Sequence, residues 1–182
     1  MTPKTRSRLI LLAIVTMFLV PFFSAVVMRF SGWEPERTRN FGELLEPPLQ
    51  LQQIPLTRVD GSDYIYEPIE RRWQLLVFAP SDCGQPCLVL ADAIYRVWMG
   101  EGRKAAKVRV LWFGPVPQGI AEYSGFIPMH ESAELLAAMP SFPPSEAGLP
   151  VYLVDPSGFL VMRYAPGFDP SGLRKDLGRL IK

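Results

Sequence analysis

The sequence contains only two cysteines and one histidine among its 182 residues, and this scarcity excludes several classes of site. Zinc sites built on repeated cysteine and histidine pairs need more ligands than these. The sequence also has no glycine-rich phosphate-binding loop and no Gly-x-Ser-x-Gly nucleophile turn. Lysine and arginine together number 19 against 18 for aspartate and glutamate, and the formal charge of +1 gives no reason to expect a nucleic-acid partner.

The longest uncharged segment lies near the N-terminus. Residues 9–28 (LILLAIVTMFLVPFFSAVVM) carry no charge, and twenty helical residues span the roughly 30 Å hydrocarbon core of a membrane. Pro21 is tolerated more readily in a membrane-spanning helix than in a soluble one. A cleaved signal peptide is the competing interpretation, but its apolar region would be shorter and would end in small residues, whereas this one ends in Val26-Val27-Met28. We therefore predict an uncleaved membrane anchor.

The charges around this anchor predict its orientation. Lys4, Arg6 and Arg8 precede it with no acidic residue among them, whereas acidic and basic residues are mixed after it. Because lysine and arginine favour the cytoplasmic side, residues 1–8 are predicted to be cytoplasmic. The protein is then expected in the inner (cytoplasmic) membrane as a single-pass protein with its C-terminal domain on the periplasmic side. That compartment permits disulfides to form.

The rest of the chain is long enough for one domain. Residues 29–48 are rich in proline and are predicted to form a linker, and residues 49–182 to form an extracytoplasmic domain. Apolar and turn patterns predict strands at 49–56, 73–78, 108–113, 151–155 and 159–164, a hairpin around Asp60-Gly61, and helices at 86–100, 131–139 and 170–181. A strand, helix and strand in succession imply a right-handed crossover and a parallel pair, so the fold class is α/β.

Cys83 and Cys87 are the candidate reactive residues. They lie between the apolar strand at 73–78 and the following helix, where backbone amides and the helix dipole stabilise a thiolate. Asp82, beside Cys83, opposes this through like charge. Two sulfurs four positions apart can form a disulfide or bind one soft metal ion, and the spacing leaves both open. By exposure we assign Cys83 as the attacking thiol and Cys87 as the resolving thiol.

The cysteine loop, the crossover, the VYLVDPSG hairpin and the last helix together resemble the thioredoxin superfamily over residues 49–182. This resemblance implies a thioredoxin-like fold, with a central mixed sheet flanked by helices, preceded here by one transmembrane helix. A Cys-x-x-x-Cys loop on a single-span anchor is similar to the Sco (SenC) family. Members of that family deliver copper to, or keep reduced, the CuA-site cysteines of cytochrome c oxidase. The resemblance therefore implies Cu(I), held by Cys83 and Cys87, and an oxidase subunit as partner.

The sequence departs from the Sco pattern at several positions. Gly84 and Leu88 follow the cysteines, where Sco proteins usually have proline. The histidine that completes the Sco copper site is missing, since Glu146 and Ala147 occupy its place in the alignment. His130 is the only histidine and lies well upstream, where a surface or capping role is the simpler interpretation.

Pro150 is the third candidate site residue. Leu149-Pro150 precedes the predicted strand at 151–155 and resembles the cis-proline that faces the cysteines in thioredoxins and shapes their substrate groove. The resemblance implies a cis bond at this position, although X-Pro bonds are cis in only about 5% of cases in general.

Three functions remain open. The preferred one is a membrane-anchored thiol-disulfide oxidoreductase acting on an exported partner, such as the copper subunit of cytochrome c oxidase. The second is a Cu(I) chaperone of Sco type that uses both cysteines and a further ligand. The third is a non-catalytic assembly scaffold in which the disulfide only stabilises the fold.

Overall fold

The structure is a computed structural model that describes residues 3–31, 40–121, 123–143, 145 and 148–181. The chain divides into two compact units, Met1–Arg39 and Asn40–Lys182. The predicted boundaries at residues 8, 28 and 48 stay predictions, and part of the predicted linker, residues 32–39, lies outside the described residues.

The first unit contains helix α1 (Pro3–Phe30), which includes the predicted anchor at 9–28. Its segment Thr5–Phe30 has a mean hydropathy of 2.7 and is long and apolar enough to cross a membrane. The hydroxyls of Thr16 and Ser24 donate hydrogen bonds of 2.7 Å to backbone carbonyls four residues earlier. These polar groups are therefore satisfied within the helix, as the interior of a lipid bilayer requires. The helix is consistent with a single-pass anchor.

The second unit is a six-stranded mixed sheet with helices on its faces and a separate two-stranded hairpin. This architecture confirms the predicted fold class. The elements in chain order are β1 (Glu43–Gln50), β2 (Leu56–Thr57), β3 (Asp63–Tyr64), β4 (Trp73–Phe78), α2 (Gln85–Gly100), a 3₁₀ helix (Gly102–Lys107), β5 (Val108–Phe113), β6 (Phe126–Met129), α3 (Ala133–Ala138), β7 (Val151–Val154), β8 (Phe159–Tyr164) and α4 (Pro170–Leu180).

The sheet has the strand order β1-β8-β7-β4-β5-β6, so β4 lies inside it. β4 pairs in parallel with β5 and antiparallel with β7. The parallel pair is joined by α2, as the predicted crossover requires. β2 and β3 pair antiparallel on either side of Asp60-Gly61, which confirms the predicted hairpin.

The core lies on both faces of the sheet. Side chains alternate along β4, so that Leu75 and Val77 join a cluster with α2 and α4 while Leu76 joins a cluster with α3. All three side chains are fully buried. A strand covered on both faces needs apolar residues at every position, which explains the unbroken apolar run in the sequence.

The two edge strands differ from prediction. The predicted strand at 49–56 is wrong in position, because the strand observed is β1 and residues 51–55 leave the sheet. Pro47 and Pro48 lie within β1, where its pairing with β8 is irregular. Proline is tolerated on edge strands and at bulges because no ladder hydrogen bond is lost there. The opposite edge strand, β6, was not predicted, and it too contains a proline, Pro128.

A buried carboxylate fastens the start of the second unit to its last helix. Asp176, in α4, is 2% exposed and accepts hydrogen bonds from the amides of Phe41 (2.8 Å) and Gly42 (3.0 Å). The hydroxyl of Tyr164 donates to the same oxygen (3.1 Å), and burial, followed by the charge of Asp176, raises the pKa of that hydroxyl. The segment preceding β1 is therefore held against α4 by hydrogen bonds to a charged group, which are stronger than those between neutral groups.

Candidate active site: a disulfide at the start of a helix

The two cysteines form a disulfide, with their Cα atoms 5.7 Å apart. Cys83 lies in the loop after β4, and its amide donates to the carbonyl of Pro80 (3.1 Å). Cys87 lies in the first turn of α2. The pairing agrees with one of the two chemistries that the spacing left open.

The two sulfurs differ in their access to solvent. Cys87 is fully buried in the core cluster shared with α2 and α4, whereas Cys83 is partly exposed and packs at the edge of that cluster. A partner molecule can therefore reach Cys83 more easily than Cys87. This asymmetry agrees with the predicted order of attack, although the roles themselves stay a prediction.

The start of α2 favours negative charge near the sulfurs. Gly84 is the N-cap residue and Pro86 occupies the first turn, and no side chain caps this helix end by a hydrogen bond. The first amides of a helix lack internal partners and carry the positive end of the helix dipole. A thiolate beside this helix end would be stabilised when the disulfide is reduced.

The cysteine loop rests closely on the end of β5. The amide of Ala79 donates to the carbonyl of Phe113 (2.8 Å), which extends the parallel pairing by one residue. Gly114 follows with a φ of +97°, and a Cβ atom built on it would lie 2.3 Å from the carbonyl oxygen of Ala79. Glycine is therefore required both by the backbone conformation and by the close approach of the loop.

An apolar groove of about 460 Å³ opens beside the disulfide. It lies between the start of α2, the loop before β7 and the loop before α4, and its lining includes Pro86, Val89, Leu149 and Phe168. Val89 is 60% exposed, so its side chain is available to a partner. The groove could bind an apolar segment of a partner beside the first turn of α2, which contains Cys87. The groove is not predicted from the sequence, where its one signal is that Val89 is apolar yet falls outside the buried face of α2.

Pro150 lies at the same end of the sheet as the cysteines. In the antiparallel register Tyr152 is opposite Leu76, so the start of β7 comes to the end of β4. Leu149 lines the groove, but the expected cis bond before Pro150 is not found, because the cis bond among the described residues is Glu46–Pro47. The trans form is the intrinsically preferred state of an X-Pro bond. A role for Pro150 in the reaction stays a prediction.

The described residues do not supply a third copper ligand. They contain no group of three or more His, Cys, Asp and Glu side chains placed to hold a metal ion. His130 follows β6, two strands from β4 in the sheet, and its side chain is exposed. Glu146 and Ala147, which occupy the place of the Sco histidine, lie outside the described residues. The donor set found here is two sulfurs joined to each other, which does not fit a two-cysteine, one-histidine copper site.

Comparison with known families supports the fold. The family model described as a transmembrane-like, thioredoxin-like, C-terminal domain matches residues 73–182, which is more than half of the chain. The matched region begins at β4 and includes the cysteine loop. A search of curated proteins found no significant match.

Solved structures with a similar fold include Sco proteins. The chain superposes on a SCO1/SenC family lipoprotein from Bacillus anthracis strain Ames with a TM-score of 0.55 and 15% identity, covering 76% of this chain and 99% of the other. For apo Sco1 from Thermus thermophilus the TM-score is 0.53 and the identity 18%, with coverages of 81% and 99%. BsSco is described as a member of the Sco family of cytochrome c oxidase assembly proteins with a disulfide switch. Its TM-score is 0.53 and its sequence identity 12%, and the match covers 76% of this chain and 96% of BsSco. The predicted resemblance is confirmed, and at these identities it concerns the fold alone.

Proposed function

The chain belongs to the family of transmembrane-like, thioredoxin-like C-terminal domains, and on that premise we propose that it is a membrane-anchored thiol-disulfide oxidoreductase. The observation that carries the proposal is the Cys83–Cys87 disulfide at the start of α2, with one sulfur accessible and the other buried beside an apolar groove. A disulfide whose only role is to stabilise a fold has no need of this asymmetry.

The proposed reaction begins with the reduced pair. The Cys83 thiolate attacks one sulfur of a partner disulfide, a mixed disulfide forms, and the other partner sulfur leaves as a thiolate. The Cys87 thiolate then attacks the Cys83 sulfur, which breaks the mixed disulfide and releases the second partner sulfur. Two electrons pass to the partner, and Cys83–Cys87 closes. A separate dithiol donor must reduce the pair before the next cycle.

The proposed compartment is the periplasmic side of the inner membrane. Support comes from α1, which is long and apolar enough to cross a membrane, and from the basic residues that precede its apolar segment. A membrane-impermeant thiol reagent added outside the inner membrane should label the reduced cysteines. Labelling that requires disruption of the inner membrane would contradict this orientation.

We further propose that the partner is an exported protein with a disulfide or copper-site thiols, namely the copper subunit of cytochrome c oxidase. Its support is the fold that the chain shares with BsSco, which is described as belonging to a family of oxidase assembly proteins. Keeping the cysteines of a copper site reduced is a task that the reaction above can perform.

The reduction potential of the pair tests the oxidoreductase proposal. The full chain in uncharged detergent is equilibrated with dithiothreitol and glutathione redox buffers, and the reduced fraction is measured by the mass added on alkylation. We expect a potential above about −300 mV, because structural disulfides in exported proteins fall below that value. A lower potential would instead identify the bond as a structural one, whose loss should cost about 2 kcal/mol of unfolding free energy for so short a loop.

Trapping the mixed disulfide tests both the roles of the cysteines and the partner. The variant Cys87→Ser should accumulate a mixed disulfide in cells, visible on non-reducing gels and identifiable by mass spectrometry, whereas Cys83→Ser should form none. Adducts that form equally on both variants would contradict the assigned order of attack. Adducts that lack the oxidase subunit would remove that partner while leaving the exchange reaction in place.

A Cu(I) titration tests the alternative of a copper chaperone. The candidate site offers two cysteine sulfurs and no histidine among the described residues, so the reduced chain should lose Cu(I) to a competing chelator. Retention of one Cu(I) per chain, abolished by Cys83→Ser, would favour the chaperone over the oxidoreductase.

A further inference from the structure

A second cavity, of about 390 Å³, lies at the end of the sheet opposite to the cysteines. Its charged lining consists of three arginines and one aspartate, which are Arg58, Arg72, Arg109 and Asp60. These residues come from separate parts of the chain. Arg58 belongs to the β2–β3 hairpin, Arg72 precedes β4, and Arg109 lies near the start of β5, so only the fold brings them together.

The three arginines differ in their partners. Arg72 is paired with both Glu67 and Glu70. Arg58 and Arg109 form no salt bridge with any residue that the structure describes. The cavity therefore contains two guanidinium groups that no described carboxylate contacts directly. Asp60 acts on Arg58 only at longer range, as do Glu67 and Glu70 on Arg109.

Arg58 also has a buried donor that is not used. Its Nε atom is buried and has no hydrogen-bond partner among the described residues. Its guanidinium carbon lies 5.5 Å from the centre of the Tyr64 ring, a cation–π distance, so the aromatic ring supports the side chain in place. Buried donors are normally satisfied, so this N–H group is available to an acceptor that enters the cavity.

The surroundings of Arg109 also favour an anion in the cavity. Burial, followed by the positive charge of Arg72, lowers the pKa of Arg109. Asp60 is the only acidic side chain in the lining, and its Oδ1 atom accepts hydrogen bonds from the amide (2.9 Å) and hydroxyl (2.6 Å) of Ser62. Asp60 is thus engaged in its own turn, and Arg58 and Arg109 are the two arginines of the lining that no carboxylate contacts directly. An anion in the cavity would offset their charge.

We propose that this cavity binds a phosphate group, with Arg58 and Arg109 as its ligands. The planar guanidinium fork matches the oxygens of a phosphate, and two forks can bind different oxygens of one tetrahedral group. The phosphate could be free or could belong to an anionic lipid. Val59 and Ile69 are 53% and 96% exposed and lie in the two segments that supply Arg58 and Arg72, so apolar side chains are available for a lipid.

The test uses the full chain in uncharged detergent micelles at low ionic strength. Inorganic phosphate is titrated by calorimetry, and phosphatidylglycerol added to the micelles is counted on the protein by native mass spectrometry. We expect saturable 1:1 binding of at least one probe, weakened about tenfold or more in Arg109→Gln, because charge-assisted hydrogen bonds are lost. Binding of phosphate indicates a free ligand, and binding of the lipid alone indicates a headgroup.

Arg103→Gln is the matched control, since it removes the same charge from an exposed residue outside the cavity. It should change the affinity less than twofold. Arg58→Gln, on the hairpin, provides a second variant if Arg109→Gln does not fold as judged by circular dichroism. All three should keep the disulfide exchange of the unmodified chain. The proposal is overturned if neither probe binds, if the variants bind like the control, or if succinate binds as tightly as phosphate.

Discussion

At the carboxyl end of β4 the chain presents a disulfide beside an apolar groove, whereas at the amino end of the same strand it presents arginines around a polar cavity. We call these the thiol end and the arginine end. β4 contributes six residues, so the two ends are about 17 Å apart along the strand. That distance exceeds the Debye length of about 10 Å at 0.1 M salt.

One strand therefore carries the two candidate sites at its opposite ends. The thiol end consists of closely packed, uncharged groups, so substitutions that change the size or shape of a side chain should disrupt it most. The arginine end depends on charge, so it should respond to ionic strength and to loss of single positive groups. Substitutions at one end should leave the other end nearly unchanged.

The largest expected effect is that of Gly114→Ala at the thiol end. The new Cβ would clash with the carbonyl of Ala79 and the residue would be strained at its positive φ. We expect the free energy of unfolding to fall by about 3 kcal/mol or more in denaturant titrations. Gly119→Ala is the matched control, since Gly119 also has a positive φ but no atom within 4 Å of a built Cβ, and it should cost about 1 kcal/mol. Equal losses in both variants would show that the loop is not closely seated.

A smaller effect is expected from Val89→Gln in the groove. The substitution removes apolar surface beside the disulfide without adding charge, so kcat/KM for reduction of an apolar, disulfide-bonded test peptide should fall about fivefold to tenfold. Met99→Gln is the control, because Met99 lies on the same helix, is similarly exposed at 55%, and is outside the groove. A similar fall in both variants would argue against binding in the groove. Phosphate binding should be unchanged in both.

The smallest expected effect is a change of titration at the arginine end. Burial raises the pKa of Tyr64 above 10.0, and the charges of Arg109 and Arg58 partly offset this. Because the folded pKa is raised, the contribution of Tyr64 to stability is complete below pH 10 and is lost as the pH rises through the folded value. Arg109→Gln removes a positive charge and should raise this pKa further.

Phenolate absorbance measures that change, with Tyr64→Phe subtracted to isolate the residue. The Arg103→Gln variant should leave the titration of Tyr64 where it is. A pKa that falls in Arg109→Gln would contradict the proximity of these side chains. Disulfide exchange at neutral pH should be the same in all of these variants, because the thiol end lies at the opposite end of β4.

The interior of the fold follows from the sequence. β4 and β5 were predicted with their observed bounds, because strands buried on both faces must be apolar at every position. α2 and α4 were predicted from their amphipathic patterns and from Pro86 and Pro170 near their first turns. In these segments local pattern and tertiary environment demand the same residues.

The edge strands of the sheet and the cavity at the arginine end could not be predicted from the sequence. β1 and β6 contain prolines and lack an alternating pattern of apolar and polar residues. They form strands because β8 and β5 have unpaired backbone groups on the side that faces them. Cys83 and Cys87 could be identified because they are close in sequence. Arg58 and Arg109 could not, since they are far apart in sequence and only the docking of the β2–β3 hairpin against β6 brings them to one cavity.

The hydrogen bonds of Asp176 have a mechanical consequence. Phe41 and Gly42 lie at the start of the second unit, so a force applied to the chain at Asn40 would first reach the fold there. Their amides donate hydrogen bonds to the carboxylate of Asp176, so the force would be transmitted to α4. Since α4 shares a core cluster with α2 and Cys87, a force applied at Asn40 would be carried toward the helix that contains the buried cysteine.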